Sequence, residues 1–251
     1  NDGYLQHMRV GADSGIGVKY MAKKDSGVVG MIGSGGMARS HMEAFSLVRN
    51  IKRVQVYSPT KKHREQFAEE ITEKYGVEAV VMNNPKDVYG GADIVAGCTD
   101  STVPIIIGDW LADGTHITCV GGKPDDDTVG RIDVTLRFGN APGPWGLPDF
   151  ALADEYLTYA AVPNENAKFR MKRAGKRGHG VIAEDRAVFL EELLTGKKKG
   201  RSSPKQITYS ERGNIQGAQF FAVAGKAYEL AKEKGLGREI PTDWLLQDIR
   251  D

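Results

Sequence analysis

The sequence predicts an α/β protein with a doubly wound parallel sheet, and three observations support this prediction. Between residues 27 and 122, short apolar runs alternate with longer amphipathic runs. The short runs are rich in β-branched residues, as in strands that are buried on both faces. A glycine-rich turn follows the first of them. Because regular strand–helix alternation requires crossover connections, the strands should be parallel and helices should cover both faces of the sheet.

Five short runs in this region are predicted strands, and the two longest runs between them are predicted helices. The first helix, "MARSHMEAFSLV" (37–48), has apolar residues at helical spacing. The second helix, "KKHREQFAEEITEKY" (61–75), has an inner face formed by Phe67 and Ile71. The predicted strands are "VVGMI" (28–32), "RVQVYS" (53–58), "EAVVM" (78–82), "DIVAGC" (93–98) and "HITCVG" (116–121).

The later part of the chain has fewer regular patterns. "YLTYAAV" (156–162) is a further candidate strand. "AEDRAVFLEELLTG" (183–196) is predicted to be one amphipathic helix, with Gly196 as its C-terminal cap. Apolar residues keep a helical period from Ile215 to Leu230, which predicts a last helix that ends at "KEKGLG".

The composition is that of an ordinary globular protein and argues against several classes of function. A net charge of +1 gives no reason to expect nucleic acid or an anionic membrane as a partner. No apolar run approaches the ~20 residues of a membrane span. The two cysteines, Cys98 and Cys119, are not in a CxxC pair, and the five histidines are scattered. We therefore expect no disulfide framework, no metal site and a reduced, cytoplasmic compartment.

The turn after the first strand reads "GSGGMA" and fits the G-x-G-x-x-G/A pattern of a dinucleotide-binding unit. Gly33 allows the tight turn, Gly35 lets the backbone approach a pyrophosphate, and Ala38 allows close packing of helix on strand. Gly36 and Met37 lie at the predicted helix start, where free N–H groups and a partial positive charge favour phosphates. A merely flexible turn is the alternative, but the position between a strand and a helix favours a Rossmann-type cofactor site.

The end of the second strand bears on which dinucleotide is bound. NAD sites usually have an acidic residue there, which binds the ribose 2′-hydroxyl. In this chain Ser58 takes that place, and Thr60, Lys61, Lys62 and Arg64 follow. Hydroxyls and cations would bind a 2′-phosphate, whereas the alternative is a solvated first turn of the next helix. Cations oppose the dipole at a helix start, so a bound anion would help to explain them, and the pattern favours NADP(H) over NAD(H).

Five segments together resemble the ornithine cyclodeaminase/mu-crystallin family, and they occur in the family's order over most of the chain. They are "HMRVGADSGIGVKYMA" (7–22), "VGMIGSGGMARSHMEAF" (29–45), "GADIVAGCTDSTVPII" (91–106), "DWLADGTHITCVGG" (109–122) and "LEELLTGKKKGRSSPKQIT" (190–208). The resemblance implies a homodimer whose subunits combine a Rossmann domain with a dimerisation and substrate domain.

The resemblance also implies a division of this chain into three parts. Residues 1–22 correspond to the end of the N-terminal dimerisation and substrate domain, residues 23–207 to the dinucleotide-binding domain, and residues 208–251 to a C-terminal helix that returns to the first domain. The chain begins "NDGYLQHM", without an initiator methionine, and roughly the first hundred residues of the family pattern have no counterpart. We expect much of the substrate pocket to belong to that portion.

The matched segments imply further site residues. Arg9 matches an arginine of the family that is similar to a clamp for the substrate carboxylate, a role that suits a planar guanidinium. Thr99 resembles part of the cofactor-contacting loop after the fourth strand, and Val120 and Gly121 end the fifth strand, where ligands of open α/β sheets bind. Cys98 and Cys119 lie at the same edge. Small buried apolar residues are the better interpretation of both, and Cys98 is also a candidate cofactor contact.

The sequence departs from the resemblance at "GGKPDDD". Cyclodeaminases have an aspartate directly after the two glycines, whereas here Lys123 takes that place and Asp125 follows two residues later. Lys123 could protonate an imine nitrogen if burial lowers its pKa, and it could equally contact a phosphate or lie at the surface. Asp125 is the other candidate acid or base.

Three functions remain open at this point. The first is an NAD(P)H-dependent oxidoreductase that reduces an α-imino acid (a ketimine), or interconverts an α-amino and an α-keto acid, by hydride transfer. The second is a redox-neutral ornithine cyclodeaminase-type ammonia lyase, against which the missing aspartate argues. The third is a non-catalytic NADPH-binding protein. This function remains possible because a fold that binds a dinucleotide does not by itself define an activity.

Overall fold

The computed structural model of the chain describes residues 3–121, 124–139, 184–211 and 216–244. Eight strands within these ranges form one sheet, and every pairing between neighbouring strands is parallel. The strands are β1 (Val28–Ile32), β2 (Arg53–Tyr57), β3 (Glu78–Val81), β4 (Ile94–Gly97), β5 (His116–Cys119), β6 (Val134–Arg137), β7 (Ala187–Phe189) and β8 (Thr208–Glu211). Their spatial order is β3-β2-β1-β4-β5-β8-β6-β7.

Helices connect or flank these strands. The α-helices of the described ranges are α1 (Gly3–Met21), α2 (Gly36–Val48), α3 (Lys61–Tyr75), α4 (Asp126–Arg131), α5 (Leu190–Leu194) and α6 (Gln216–Glu233). Short 3₁₀ helices are formed by Pro85–Tyr89, Gly108–Trp110, Glu184–Arg186 and Thr242–Trp244. The sequence predicted the first five strands, α2, α3 and α6 to within about three residues at their ends, and the doubly wound parallel sheet is confirmed.

Two apolar layers cover the two faces of the sheet. On one face, Phe45 of α2 and Phe67 of α3 are fully buried against β1, β2 and β4. On the other face, Val88 of a 3₁₀ helix and Ile132 after α4 pack with side chains of β4, β5 and β8. Burial on both faces explains why the strand sequences are continuous apolar runs rather than alternating ones.

One predicted helix is wrong. Residues 183–196 do not form a single helix: Ala187–Phe189 is strand β7, and only Leu190–Leu194 is helical. Pairing of β7 with β6 buries Ala187 and Val188, so tertiary contacts override the local helical period. The sheet also continues past residue 207, because β8 lies between β5 and β6. The candidate strand at 156–162 lies outside the described residues.

Helix α1 lies against α2 and continues the layer on that face. A Cβ atom added at Gly11 would lie 2.5 Å from the carbonyl oxygen of Ser40, and one added at Gly15 would lie 2.9 Å from Cβ of Ala44. Larger residues at these two positions would push the helices apart. The glycines of α1 therefore bring its N-terminal half close to the start of α2, beside the carboxyl ends of the central strands.

Candidate cofactor site

The turn between β1 and α2 has the geometry of a phosphate cradle. Gly33 has φ of +113°, and a Cβ atom there would lie 2.1 Å from the carbonyl oxygen of Cys98, so only glycine fits. Gly35 precedes the helix in an extended conformation, and no side chain caps the helix start. The first turn of α2 contains no acidic residue. Its N–H groups and the positive end of its dipole are suited to an anion.

The end of β2 forms the wall on one side of this cradle. The hydroxyl of Ser34 donates to Oγ of Ser58 over 2.9 Å, which joins the turn to the strand end. Arg64 is buried beneath: its Nη1 donates to the carbonyl oxygen of Ser58 over 2.7 Å, and its guanidinium lies 5.5 Å from the Tyr57 ring centroid. Lys61 pairs instead with Glu65 of its own helix, at 3.6 Å.

The ends of β4 and β5 form the wall on the other side. A Cβ atom added at Gly121 would lie 1.8 Å from the carbonyl oxygen of Thr99, so the two loops touch through their backbones. The thiol of Cys119 donates to the carbonyl oxygen of Gly121 over 2.8 Å. Burial raises the pKa of the Cys98 thiol well above its ordinary value, so this residue is a neutral wall and not a nucleophile.

These walls enclose one cavity of about 1310 Å³, which lies where the strand order reverses between β1 and β4. Ten of the eleven predicted cofactor residues line it, and the eleventh, Lys61, does not. The ten are Gly33, Gly35, Gly36, Met37, Ser58, Thr60, Cys98, Thr99, Val120 and Gly121. Ligands of open α/β sheets bind at such a switch point, outside the carboxyl ends of the strands.

Several residues that line the cavity were not among the site residues predicted from the sequence. His7 comes from α1, His63 from the first turn of α3, Trp110 from a 3₁₀ helix and Tyr209 from β8. His7 and Tyr209 lie about thirty or more residues from the cradle in sequence. They reach the cavity only because α1 and β8 pack beside it. No local signal marks them. His63 follows the loop after β2, so it could have been included with Thr60 and Lys61.

A buried chain of hydrogen bonds supports the cradle from behind. His41 donates from Nδ1 to the carbonyl oxygen of Met37 over 2.7 Å, since a carbonyl can only accept. Its Nε2 then accepts from the hydroxyl of Ser14, 2.8 Å away. The Ser14 oxygen in turn accepts from Thr118 at 2.9 Å. These contacts tie α1, α2 and β5 together at the point where α2 begins.

The predicted substrate clamp, Arg9, lies beside the cavity and contacts α6. Its Nη1 donates to Oε1 of Gln219 over 2.8 Å, and its Nε donates to Oε1 of Gln6 over 3.1 Å. Its guanidinium carbon lies 4.9 Å from the Phe220 ring centroid. The amide nitrogen of Gln219 also donates to the carboxylate of Asp13. Arg9 is therefore part of a buried network between α1 and α6, and it does not line the cavity.

Of the two predicted acid–base residues, Asp125 is described and Lys123 lies outside the described residues. Asp125 caps the N-terminus of α4: it accepts from the backbone N–H of Thr128 over 2.7 Å and of Gly108 over 3.0 Å. Burial opposes its ionisation, but the hydrogen bonds from Thr128 and Gly108 lower its pKa overall. Asp125 is thus an ionised helix cap whose oxygens are already occupied.

The geometry defines a class of protein. A parallel sheet, a glycine turn at the switch point and an uncapped helix start directed at a long crevice together form a dinucleotide-binding Rossmann-type domain. The chain belongs to the ornithine cyclodeaminase/mu-crystallin family, whose model matches residues 1–137, more than half of the chain. It spans about two thirds of the length of the curated relatives that it matches.

Individual relatives agree with this assignment. The Delta(1)-pyrroline-2-carboxylate reductase of Bacillus cereus is 28% identical over 243 residues, covering 94% of this chain and 67% of that protein. The solved structure of the Thermococcus litoralis Delta(1)-pyrroline-2-carboxylate reductase, in complex with NADH and L-proline, is similar with a TM-score of 0.73 and 28% identity, covering 95% of this chain and 68% of that one. An archaeal alanine dehydrogenase dimer with bound NAD has a TM-score of 0.72 and 25% identity, covering 96% and 67%.

The described residues contain no candidate membrane span and no candidate metal site. No helix there is long and apolar enough to cross a bilayer. No three or more His, Cys, Asp or Glu side chains in those ranges are grouped so that they could hold a metal ion.

Proposed function

We propose that this protein is an NAD(P)H-dependent oxidoreductase that reduces an α-imino acid, or interconverts an α-amino and an α-keto acid. The observation that carries the proposal is the cavity at the switch point, with its glycine cradle. The similarity of this chain to a reductase solved with NADH and L-proline supports a nicotinamide cofactor and a substrate of the amino-acid class.

The cradle residues fit a dinucleotide on steric grounds. A side chain at Gly33 would collide with the Cys98 backbone, while the space beside Gly35 is open for a ligand. In this proposal the first amides of α2 bind the pyrophosphate, and Ser58 and Thr60 lie along the adenosine ribose. Thr99, Val120 and Gly121 border the nicotinamide ribose at the ends of β4 and β5.

Ketimine reduction adds a hydride to the C=N carbon and a proton to the nitrogen. The reduced nicotinamide supplies the hydride when it is bound, so the chain must place the imine carbon and deliver the proton. We retain Arg9 as the proposed carboxylate clamp, a role in which its guanidinium would exchange its bonds to Gln6 and Gln219 for the substrate. Lys123 is the proposed proton donor, because the carboxylate of Asp125 already caps α4.

We further propose a preference for NADP(H). The wall at the end of β2 presents Ser58 and Thr60, and no carboxylate that would repel a 2′-phosphate lines this part of the cavity among the described residues. The basic side chain beside this wall that borders the cavity is His63, and not Lys61. This arrangement supports a role for His63 in place of the one predicted for Lys61.

The proposed assembly is a homodimer in the cytoplasm. Helix α6 exposes Phe221 and Tyr228, which are 81% and 66% accessible, and α1 exposes Tyr4. Large exposed apolar side chains at both ends of a chain favour a protein partner. Both cysteines are free thiols, in keeping with a reducing compartment.

The test is to follow the absorbance of NADPH or NADH with full-length protein and a panel of substrates. The panel comprises cyclic α-imino acids, and α-keto acids with ammonia or methylamine. We expect steady loss of reduced cofactor with one nitrogen-containing acceptor class, and faster loss with NADPH than with NADH. Ammonia release from ornithine with no net cofactor change would establish the cyclodeaminase alternative, and tight NADPH binding without turnover would establish the non-catalytic one.

A further inference from the structure

His7 is the one ionisable side chain of α1 that lines the cavity among the described residues, and it lies directly over the cradle. A Cβ atom added at Gly36 would lie 2.4 Å from Cε1 and 2.8 Å from Nδ1 of His7. A Cβ atom added at Gly35, one residue earlier, would meet nothing within 4 Å. The absence of a side chain at Gly36 is therefore what allows the imidazole to rest against the first turn of α2.

The surroundings of the imidazole leave its ring nitrogens available to a ligand. His7 is only partly buried, and it makes no hydrogen bond within the described part of the chain. The basic residue of the first turn of α2, Arg39, faces elsewhere: its Nε binds Glu70 at 2.6 Å and its Nη1 donates to the Ser34 carbonyl oxygen. The start of α2 therefore offers an anion the positive end of the helix dipole, and His7 is the nearby side chain that can donate an N–H.

The packing of the helices keeps His7 at this place. Close approach of Gly11 to Ser40 brings α1 down onto α2. One turn further along α1, Ser14 joins the hydrogen-bond chain through His41 to the Met37 carbonyl. The imidazole therefore approaches the cradle on a rigid element, as a preorganised contact requires.

We propose that His7 binds the pyrophosphate of the dinucleotide, donating an imidazole N–H to a phosphate oxygen beside the backbone amides of α2. A hydrogen bond between a cationic or polarised donor and a phosphate is stronger than a neutral one. This inference rests on the proposed function, because it assumes that a dinucleotide occupies the cavity. It adds a side-chain contact that the glycine pattern by itself does not include.

The test measures three probes by calorimetric titration or by competition with NADPH fluorescence. NADPH contains the pyrophosphate, the nicotinamide and a 2′-phosphate. ADP-ribose contains the pyrophosphate but neither the nicotinamide nor the 2′-phosphate, and adenosine contains none of the three. The variants are His7→Ala, His7→Gln, and Met8→Ala as the matched control on the solvent side of α1. Circular dichroism and urea midpoints confirm that each variant folds.

We expect His7→Ala to weaken NADPH and ADP-ribose alike, by roughly tenfold, and to leave adenosine unchanged. His7→Gln, which keeps an N–H donor, should recover part of the affinity, and Met8→Ala should have no effect. Unchanged affinities in a folded His7→Ala variant would overturn the inference. A loss confined to NADPH would also overturn it, by placing the imidazole at the nicotinamide or the 2′-phosphate, and an equal loss with adenosine would overturn it by showing a packing role.

A second variant tests the steric contact between Gly36 and His7. Gly36→Ala should displace the imidazole and weaken ADP-ribose in the native background, but should cost much less when His7 is already alanine. Equal losses in the two backgrounds would contradict the contact between the two residues. If the native protein binds NADPH while the His7 variants are unaffected, only this inference fails. If it binds no dinucleotide at all, the proposed function fails as well.

Discussion

The crevice at the carboxyl ends of β1, β4 and β5 and the packing of α1 against α6 are built from different groups. The crevice consists mainly of backbone and small residues, such as Gly33 against Cys98 and Gly121 against Thr99. The contact of α1 with α6 instead depends on the buried side chains of Arg9, Asp13 and Gln219. Backbone geometry can be read from a short glycine motif, whereas a side-chain network depends on which distant residues meet.

The largest expected effect is at the crevice and compares two glycines of one turn. Gly33→Ala should lower the free energy of unfolding by about 3 kcal/mol or more, because φ is positive there and the new Cβ would collide with the Cys98 backbone. Gly35→Ala should change it by under about 1 kcal/mol, since φ is −88° and the space is open.

The two glycine variants should also differ in cofactor binding. Gly35→Ala should remain folded and lose about tenfold in NADPH affinity, because the methyl group occupies space that the pyrophosphate needs. Urea denaturation and NADPH fluorescence titration measure the two quantities separately. Equal stability of the two variants would refute the steric account of the turn.

The next effect tests the network between α1 and α6. Gln219→Leu removes the amide that accepts from Arg9 and donates to Asp13, and we expect a loss of about 2 kcal/mol in the free energy of unfolding. The control is Gln66→Leu, where an exposed amide bonds to Glu70 of the same helix and the change should stay under about 0.5 kcal/mol. Similar urea midpoints for the two variants would mean that the buried network adds little stability.

The last effect is the smallest per unit of the quantity varied, ~1.4 kcal/mol per pH unit, and concerns a buried histidine on the α1 side. Burial, with the charges of Arg201 and Arg49, lowers the pKa of His116 to about 3. Its Nδ1 lies 3.0 Å from Oγ1 of Thr208 and its Nε2 lies 3.4 Å from Oγ of Ser210. The folded protein therefore keeps this imidazole neutral at a pH where the unfolded chain would protonate it.

Acid should therefore destabilise the folded protein relative to the unfolded chain. Above pH ~6.5 neither state protonates His116, and below that value the unfolded state gains a proton that the folded state refuses, so stability should fall by ~1.4 kcal/mol per pH unit down to about pH 3. Urea unfolding at pH 7, 6 and 5 measures this slope. His116→Asn should give a shallower slope over the same range, and identical slopes would show that the histidine does not contribute.

Most of the central fold and cradle could be predicted because their signals are local. The strand at Val28–Ile32, the turn that follows it and helix Lys61–Tyr75 are each specified by residues within one short window. The helix predicted over 183–196 failed because Ala187 and Val188 are buried by pairing with β6, which lies fifty residues away. Strands β6 (VTLR) and β8 (TYSE) were also missed, because they mix polar and apolar residues and lack the continuous apolar run of a strand such as β4 (IVAG).

The candidate site likewise contains residues that local sequence signals predicted and side chains whose partners they did not predict. Gly33 was predicted from the spacing of the glycine motif and Gly121 from its place at the end of the fifth strand, and both line the cavity. The partners of long polar side chains could not be predicted: Arg9 bonds to Gln219 of α6, Lys61 pairs with Glu65, and Asp125 caps α4. A flexible charged side chain has several partners within reach, and only the packed structure selects among them.

The sequence by itself determined the alternating parallel sheet, the glycine cradle and the place of the crevice at the strand ends, because periodicity and glycine spacing act over a few residues. Only the tertiary structure decided that β8 lies between β5 and β6, that Arg9 is held by Gln219, and that His7 rests on Gly36. Those arrangements join residues separated by about thirty to two hundred positions. They depend on which surfaces exclude water together, and no local pattern specifies that choice.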